Sequence, residues 1–342
     1  MGNSNDVIVY IVSNLESRYL KQTIESVACQ AEARLVEIVV VLNTRRTVAP
    51  RALRKQLQAT ERQYLTPIRT IFEPTPGIPF ARNRALLDFA ESGADWLAFI
   101  DDDCIAEPGW LTALLNTAQS ANVPAAASRW RLSPDGAVSP LIPPETWDDR
   151  TYRINGRPAE QGSLLRHAYT RSVLFRPVKT EILRGTLSFD ETRVESGGSD
   201  VLFFEEFRKH VGPIVFVSEA GVVEKFAGRR LGYRWHFNRK QRNTQFLIER
   251  SRRGETIYLP RNVPSLAIYG LLSLAGASVS CYAEPRRPLR IPRPRLYWLG
   301  IAGFYWAQAL AVLKLVFGVE VTSYRAVFPA DEQPNPSVHS PS

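Results

Sequence analysis

Cysteine and histidine are scarce in this chain of 342 residues. The three cysteines, Cys29, Cys104 and Cys281, are scattered without a C-x-x-C pair, and the four histidines lack the spacing of metal ligands. Isolated cysteines in odd number argue against a disulfide framework and a zinc site, so a reducing compartment is expected.

The two commonest phosphate-binding loops are also missing. Neither G-x-G-x-x-G nor G-x-x-x-x-G-K-S/T occurs, which excludes a dinucleotide fold of that type and a P-loop. The N-terminal stretch MGNSNDVIVYIV has no basic region followed by an apolar core, so we expect no signal peptide. Positive charge, in contrast, is in excess. The net charge of +9 indicates an anionic partner such as a phosphorylated substrate, an acidic membrane surface or a nucleic acid.

Short apolar runs alternate with helical patterns through the first hundred residues. Leu20, Ile24 and Val27 share one face of a predicted helix. Strands are predicted at Val7–Val12, Val36–Leu42, Ile68–Phe72 and Trp96–Ile100, and a further helix at Arg82–Ser92. This alternation is typical of an α/β fold with a doubly wound, mostly parallel sheet, in which ligands bind beyond the carboxyl ends of the strands.

Three adjacent carboxylates directly follow the last of these strands. Asp101, Asp102 and Asp103 come after the apolar run Trp96–Ile100, although like charges at this spacing repel and buried carboxylates are costly. A divalent cation would neutralise them, because Mg²⁺ binds one or two protein carboxylates and completes its shell with phosphate oxygens and water. The alternative is a solvated acidic turn that caps a helix starting near Gly109.

Three motifs occur in a fixed order after the opening strand–helix–strand unit. They are TPGIPFARNRALL, FIDDDCIAEPGWL and FDETRVESGGSDVLFFEEF. In these motifs the chain resembles the family 2 glycosyltransferases, inverting enzymes of the GT-A fold, over roughly its first two-thirds. Within that family it is most similar to the group that builds succinoglycan, a bacterial exopolysaccharide. The resemblance implies a nucleotide-sugar donor, Mg²⁺ or Mn²⁺ at the D-x-D acids, and a general base from the later acidic motif.

The resemblance also assigns roles to individual residues by position. The metal ligands are Asp101 and Asp103, the donor contacts are Ser13, Asn14, Asn43, Arg82 and Asp102, and the base is Asp200. Two alternatives stay open. Arg82 is also explained as a surface cation in the first turn of a helix, and Asp200 as the N-cap of the helix VLFFEEFRKH.

The sequence departs from the family pattern at three places. Asn43 stands where the family usually has an aspartate that contacts uracil, so a UDP-sugar is the favoured donor but is put in doubt. Ser199 replaces a glutamate that often precedes the catalytic aspartate. LGYRW keeps only the end of the Q-x-x-R-W pattern of processive synthases, which favours transfer of a single sugar.

The C-terminal third differs in composition from the rest. Asn262–Ala283 and Leu296–Leu313 contain no charged residue, and the intervening segment carries arginines at 286, 287, 290, 293 and 295. Two apolar helices that associate with the cytoplasmic face of the cell membrane are the favoured interpretation, whether they span the bilayer or lie in its interface. A pair of buried helices in a dimer is the alternative.

These patterns together predict four regions. They are a GT-A domain at 1–228, a basic helical interface segment at 229–262, two apolar membrane-associating helices at 263–319 and a disordered tail at 320–342. The predicted function is that of a metal-dependent inverting hexosyltransferase that acts on a saccharide or lipid-linked acceptor in exopolysaccharide or cell-surface glycan synthesis, with no nucleic-acid partner. A nucleotidyltransferase and a catalytically inactive membrane scaffold are the alternatives.

Overall fold

The computed structural model describes residues 5–30, 34–142, 152–154, 157–194, 197–252, 263–282 and 295–317. The chain divides into two compact units. The first unit comprises Met1–Ala137, Pro144–Val194 and Gly198–Leu231, and the second comprises Val138–Pro143, Glu195–Gly197 and Gly232–Ser342. The predicted tail at 320–342 and the arginines at 286, 287, 290 and 293 lie outside the described residues.

The first unit is a mixed α/β structure. Its strands are β1 (Val7–Ser13), β2 (Leu35–Asn43), β3 (Ile68–Glu73), β4 (Trp96–Asp101), β5 (Cys104–Ala106), β6 (Ala125–Pro134), β7 (Arg153–Ile154), β8 (Arg157–Pro158), β9 (Leu164–Leu165), β10 (Val173–Phe175) and β11 (Ile214–Phe226). Its helices are α1 (Leu20–Ala28), α2 (Arg51–Tyr64), α3 (Ile78–Glu91), α4 (Trp110–Ser120), α5 (Lys179–Leu183) and α6 (Ser199–His210), with 3₁₀ helices at Glu191–Arg193 and Gly228–Leu231.

The central sheet has the strand order β3-β2-β1-β4-β10-β6-β11-β5, and β9 pairs with β11. Strands β1, β2, β3, β4, β6 and β11 run in one direction, whereas the short strands β5, β9 and β10 run against their neighbours. The predicted α/β fold with a mostly parallel sheet is therefore confirmed. The reversed strands were not predicted, because two- and three-residue strands are too short to show a period of two.

The core of the first unit explains why its long strands are apolar. Ile38–Leu42 of β2 is completely buried, as a parallel strand covered on both faces must be. Near the centre, the rings of Phe189 and Phe203 stack with centroids 4.1 Å apart, and Phe203 also packs on Phe175 of β10. This packing anchors the first turns of α6, which carry Asp200, against the middle of the sheet.

Helix α3 begins four residues earlier than predicted, at Ile78. Gly77 precedes it with φ of +141°, a backbone conformation that favours glycine, and Pro79 occupies the first turn, where its missing N–H costs no helical hydrogen bond. Arg82 consequently lies in the second turn and is buried. The alternative interpretation of Arg82 as a surface cation is therefore wrong.

The second unit contains three helices among its described residues, α7 (Tyr233–Arg252), α8 (Val263–Tyr282) and α9 (Arg295–Val316). The helices approach closely through glycines. A Cβ on Gly303 would lie 1.9 Å from the hydroxyl oxygen of Tyr233, and this hydroxyl donates a hydrogen bond to the carbonyl oxygen of Gly300 (2.8 Å). The Tyr233 ring stacks on Phe304, with centroids 5.3 Å apart. Glycine on α9 thus creates the space that an aromatic residue on α7 fills.

The two uncharged runs predicted from the sequence coincide with α8 and α9. In the described part of the chain, one helix is long and apolar enough to cross a membrane by length and composition, through the window Leu299–Val316 in α9 with a mean hydropathy of 1.5. Helix α8 does not meet this criterion, in keeping with the glycines and serines that interrupt it.

Candidate active site

The carboxyl ends of β1 and β4 lie side by side and carry the first polar residues of the site. Val12 of β1 pairs with Asp101, the last residue of β4, and Ser13 follows Val12 directly. The buried Ser13 accepts a hydrogen bond from the N–H of Leu15 (3.1 Å), and its side chain acts to lower the pKa of Asp102, against the larger effect of burial. Asn14 turns the chain by accepting a hydrogen bond from the N–H of Glu16 (3.1 Å).

The backbone of the three acids is held from both sides. The carbonyl oxygen of Asp102 accepts hydrogen bonds from the hydroxyls of Ser17 (2.8 Å) and Thr23 (3.1 Å), while that of Asp103 accepts one from the N–H of Lys225 (2.7 Å). The acids are followed by strand β5 rather than by helix α4, which begins at Trp110. They therefore do not cap that helix, and the interpretation as a solvated capping turn is wrong.

Arg82 lies between the acids and the first turn of α6. Its guanidinium is 3.7 Å from a carboxylate oxygen of Asp101 and 3.4 Å from the hydroxyl oxygen of Ser199. It also lies over the ring of Phe189, 5.5 Å from the centroid. Thr170 donates a hydrogen bond to Asp101 (3.3 Å). Residues from α3, β4 and α6 thus converge at one edge of the sheet.

Asp200 is the second residue of helix α6. Gly198 occupies the N-cap position with φ of +81°, so the alternative assignment of Asp200 as the N-cap is wrong. A carboxylate oxygen of Asp200 accepts a hydrogen bond from the N–H of Val201 (2.9 Å), and its charge is favourable near the helix N-terminus. Asp200 is also close enough to Asp101 for its negative charge to help raise the pKa of that carboxyl.

Two arginines and a buried glutamate complete the edge on the β11 side. Arg230, in the 3₁₀ helix Gly228–Leu231, contacts Asp103 with a guanidinium nitrogen 2.6 Å from a carboxylate oxygen, and it also pairs with Glu224 of β11. Arg171 pairs with the other oxygen of Glu224 and lies over the ring of Trp130, 4.8 Å from the centroid. With Arg82 beside Asp101, the chain thus places an arginine beside three of its clustered acids.

The electrostatics of the cluster favour an additional cation. Burial raises the pKa of Asp102 to about 7 and that of Asp103 to about 6, and neighbouring acids add to both shifts. Burial also raises the pKa of Asp101, an effect that Arg82 partly offsets. Five acids, namely Asp101, Asp102, Asp103, Asp200 and Glu224, share this edge with three arginines, namely Arg82, Arg171 and Arg230. A divalent cation would match the difference in charge.

The carboxylate oxygens at this edge are the type of ligand that a hard divalent cation requires, although they are few. Among the residues that the structure describes, no group of three histidine, cysteine or acidic side chains is arranged to hold a metal ion by itself. A cation bound by one or two carboxylates needs further oxygen ligands, which phosphate groups and water provide. Asp101 and Asp103 therefore fit a metal that binds together with a phosphorylated ligand.

Asn43 has a well-defined structural role. Its amide nitrogen donates hydrogen bonds to the carbonyl oxygens of Glu73 (3.0 Å) and Thr75 (2.7 Å), and its side-chain oxygen accepts one from the N–H of Gly77 (2.9 Å). These bonds order the loop between β3 and α3. Both amide hydrogens are used in the protein, which leaves an acceptor site on the oxygen for a ligand.

The residues Arg171, Arg230, Thr170 and Glu224 were not predicted from the sequence as part of the site. The sequence held a signal for Glu224: in VVEKF it stands at a spacing of two from the apolar Val222 and Phe226, and the structure buries all three residues. The two arginines and Thr170 lie in a short strand connection and a 3₁₀ helix, where no periodic pattern distinguishes them.

A family model described as "Glycosyl transferase family 2" matches residues 8–182, just over half of the chain. The chain belongs to glycosyl transferase family 2. The matched region includes Arg82 and the three acids Asp101–Asp103 and ends before Asp200. A curated relative is the succinoglycan biosynthesis protein ExoM of Rhizobium meliloti (strain 1021), 31% identical over 174 residues, which are 50% of this chain and 52% of that protein. The chain thus spans about half the length of that relative.

The solved structures that are similar to this chain include proteins whose sequences have low identity to it. Residues 1–349 of S. aureus TarS are 12% identical with a TM-score of 0.46, covering 93% of each chain, and the same fragment in complex with UDP-GlcNAc is 13% identical with a TM-score of 0.44 and the same coverage. GalNAc-T7 with UDP, GalNAc and Mn²⁺ is 14% identical with a TM-score of 0.48, covering 77% of this chain and 53% of that chain. The family assignment comes from the sequence match and not from these likenesses.

Proposed function

We propose that this family 2 glycosyltransferase moves a sugar from a nucleotide-sugar donor, with a UDP-sugar favoured, to an acceptor hydroxyl by direct displacement with inversion. The observation that carries this proposal is the position of Arg82 between Asp101 (3.7 Å) and Ser199 (3.4 Å). This position of Arg82 brings the acids, which suit a cation that binds a diphosphate, next to the first turn of α6, which carries Asp200. A donor site and a base are thereby adjacent.

The donor diphosphate would bind at the edge of the sheet formed by Asp101, Asp103 and Arg82. Mg²⁺ or Mn²⁺, when bound by the two carboxylates, neutralises the charge that develops on a departing diphosphate. Arg82 is buried and its guanidinium lies no closer than 3.4 Å to Asp101 and Ser199 in these contacts, so it retains hydrogen-bond capacity for phosphate oxygens. Ser13, Asn14 and Asp102 flank the same edge and would contact the nucleoside, together with the free acceptor site of Asn43.

Asp200 would act as the general base. Its carboxylate takes the proton of the acceptor hydroxyl, whose oxygen forms the new bond to the anomeric carbon of the sugar. The bond between that carbon and the phosphate oxygen breaks, and its electron pair leaves with the nucleoside diphosphate. The attack and the departure occur on opposite faces of the carbon, so the configuration inverts.

Product analysis tests the reaction type. The protein is incubated with UDP-sugars, Mg²⁺ or Mn²⁺ and a saccharide acceptor, and the released nucleotide is identified. We expect UDP without pyrophosphate, and metal-dependent hydrolysis of the donor when the acceptor is left out. Release of pyrophosphate would instead show attack at phosphorus, as in a nucleotidyltransferase. No turnover of any donor, with or without metal, would identify an inactive scaffold.

For the acceptor, we propose a lipid-linked saccharide at the cytoplasmic face of the cell membrane, in exopolysaccharide or cell-surface glycan synthesis. Support comes from α9, where Leu299, Trp306 and Leu313 recur every seven residues and therefore share a face. Their side chains remain 50%, 49% and 45% exposed, respectively. A stripe of large apolar side chains of this kind suits the acyl region of a bilayer, and the arginine-rich sequence before α9 suits anionic headgroups.

Vesicle binding tests this part of the proposal. The full chain should sediment with phosphatidylcholine vesicles that contain phosphatidylglycerol. A Trp306→Ser/Leu313→Ser variant should bind at least about tenfold more weakly, because each inserted side chain contributes roughly 1.5–3 kcal/mol. Leu183→Ser, which changes an exposed leucine of the first unit, is the matched control. Equal binding by all three proteins would remove the membrane assignment, and a dimer lost only in the double variant would show that the stripe is a subunit interface.

A further inference from the structure

Arg230 occupies a carboxylate that the proposed function assigns to the metal. One of its guanidinium nitrogens lies 2.6 Å from a carboxylate oxygen of Asp103, and the other terminal nitrogen pairs with Glu224. A divalent cation on Asp103 would lie beside this guanidinium, and two cations at such a distance repel each other strongly in a half-buried site. Arg230 and the cation therefore compete for Asp103.

The other arginine of the cluster is held much more firmly. Arg171 lies over the rings of Trp130 (4.8 Å) and Tyr169 (5.2 Å), and its side chain is 16% exposed. Arg230 lies over the ring of Phe226 at the longer distance of 5.6 Å, its side chain is 25% exposed, and it belongs to the short 3₁₀ helix Gly228–Leu231. Gly228 begins that helix with φ of +56° and has open space where a Cβ would stand. Arg230 is consequently the arginine whose position is less constrained by packing.

The two arginines share Glu224, and this sharing makes an exchange energetically feasible. Arg171 pairs with one oxygen of Glu224 and Arg230 with the other. If Arg230 moves away, Glu224 keeps Arg171 as its partner, and Asp103 gains the cation as its partner. Neither Asp103 nor Glu224 is then left as a buried carboxylate without a counter-charge, a state that is strongly destabilising.

We propose that Arg230 is an exchangeable counter-ion. It neutralises Asp103 while the donor site is empty, and it transfers to the donor diphosphate when Asp103 binds the divalent cation. A guanidinium is suited to both partners, because its planar donors match carboxylate and phosphate oxygens alike. The inference rests on the proposed donor and metal site. It assigns Arg230 a second role there, that of a residue which weakens metal binding before the donor arrives and strengthens donor binding afterwards.

Metal and nucleotide affinities, measured separately, test the exchange. Mn²⁺ binding to the full chain without nucleotide is measured by electron paramagnetic resonance, and UDP binding at saturating Mn²⁺ by calorimetry. Arg230→Gln should bind Mn²⁺ about tenfold more tightly and UDP about tenfold more weakly than the unaltered protein, which is the usual size of one charge-assisted hydrogen bond. Loss of a side chain that only supports the fold would weaken both.

Two further variants serve as controls for charge and for folding. Arg131→Gln removes an arginine from an ion pair with Glu107, which keeps Arg129 at 2.7 Å, and should change neither affinity. Arg230→Lys keeps the positive charge beside Asp103 but loses the planar fork. It should bind Mn²⁺ within about twofold of the unaltered protein and UDP more weakly, and it gives the answer if Arg230→Gln does not fold.

The outcomes separate this inference from the proposed function. If Asp103→Asn loses Mn²⁺ binding but Arg230→Gln binds Mn²⁺ no more tightly than the unaltered protein, the metal assignment stands and the exchange is wrong. If Arg230→Lys binds UDP with unchanged affinity, the exchange is likewise wrong. If Asp103→Asn binds Mn²⁺ normally, the metal assignment fails and the exchange fails with it.

Discussion

Close packing is achieved by different means in the two units of the protein. At the carboxyl edge of the sheet, like charges lie side by side and are balanced by partners from distant parts of the chain, as Asp103 is by Arg230. In the second unit, the helices approach because Gly303 leaves room for Tyr233, whose hydroxyl donates a hydrogen bond to the carbonyl oxygen of Gly300. The sheet edge thus holds charge at a cost in stability that a ligand would offset, whereas the glycines of α9 serve the packing itself. Substitutions should separate these two kinds of contribution.

The largest effect is expected at the sheet edge, for chemistry rather than folding. Asp200→Asn should bind donor and metal nearly normally and lose transfer about 10²- to 10⁴-fold, the usual contribution of a positioned base. Initial rates at saturating donor, with unfolding temperature as the control, measure this. Full transfer by the variant would assign the base to another residue.

The second largest effect is expected on donor binding, again without loss of the fold. Asp101→Asn should weaken metal-dependent donor binding at least about 100-fold, since even residues that only orient metal ligands contribute about 10- to 100-fold. The metal-free protein should be as stable as before or more so, because one repelling charge is gone. Calorimetry with UDP and Mn²⁺ gives the affinity, and unaltered donor affinity would contradict the metal assignment.

In the second unit, a single substitution should change the free energy of unfolding rather than the reaction. Gly303→Ala places a methyl group against the Tyr233 hydroxyl and should cost about 1–3 kcal/mol through the lost hydrogen bond to Gly300. Tyr233→Phe removes the obstructing oxygen, so the double variant should be more stable than the sum of the two single changes predicts. Thermal unfolding of the four proteins measures this coupling. Strict additivity would show that the close approach does not matter.

The smallest effect concerns pH and applies to the sheet edge alone. The pKa values of Asp102 (about 7) and Asp103 (about 6) lie above the ordinary aspartate value, so between pH 4 and 7 the folded protein binds more protons than the unfolded chain. The stability of the metal-free protein should therefore fall as the pH rises from 5 to 8, by about 2–6 °C in Tm. Asp102→Asn should flatten this slope. A Tm that rises with pH in both proteins would contradict the stated pKa shifts.

The sequence contains clear evidence for the framework of the first unit. Runs such as Trp96–Ile100 and Val36–Leu42 are longer and more apolar than a loop tolerates, and the four predicted strands differ from the observed ones by at most one residue at each end. Since parallel strands end at a common edge, the chain position of Asp101–Asp103 was sufficient to place them there. The family motifs then indicated which chemistry such acids serve.

Other features of the site depend on contacts that no local pattern encodes. Arg82 was assigned to the donor by resemblance, but its burial follows from where α3 begins and from the ring of Phe189 beneath it. Asn43 was expected to contact the base, yet its amide hydrogens order the loop before α3. Both outcomes arise from neighbours more than 25 positions away in the chain.

The sequence by itself determined the α/β framework, the edge at which the acids cluster and the apolar character of α8 and α9, because periodicity and composition act over neighbouring residues. Only the tertiary structure decided how the cluster is neutralised. Arg171 reaches Glu224 because β10 and β11 both pair with β6, and Arg230 reaches Asp103 because β11 pairs with β5. Long-range pairing of this kind leaves no trace in local spacing. Charge balance in a half-buried site depends on distances of a few ångströms, which the fold alone sets.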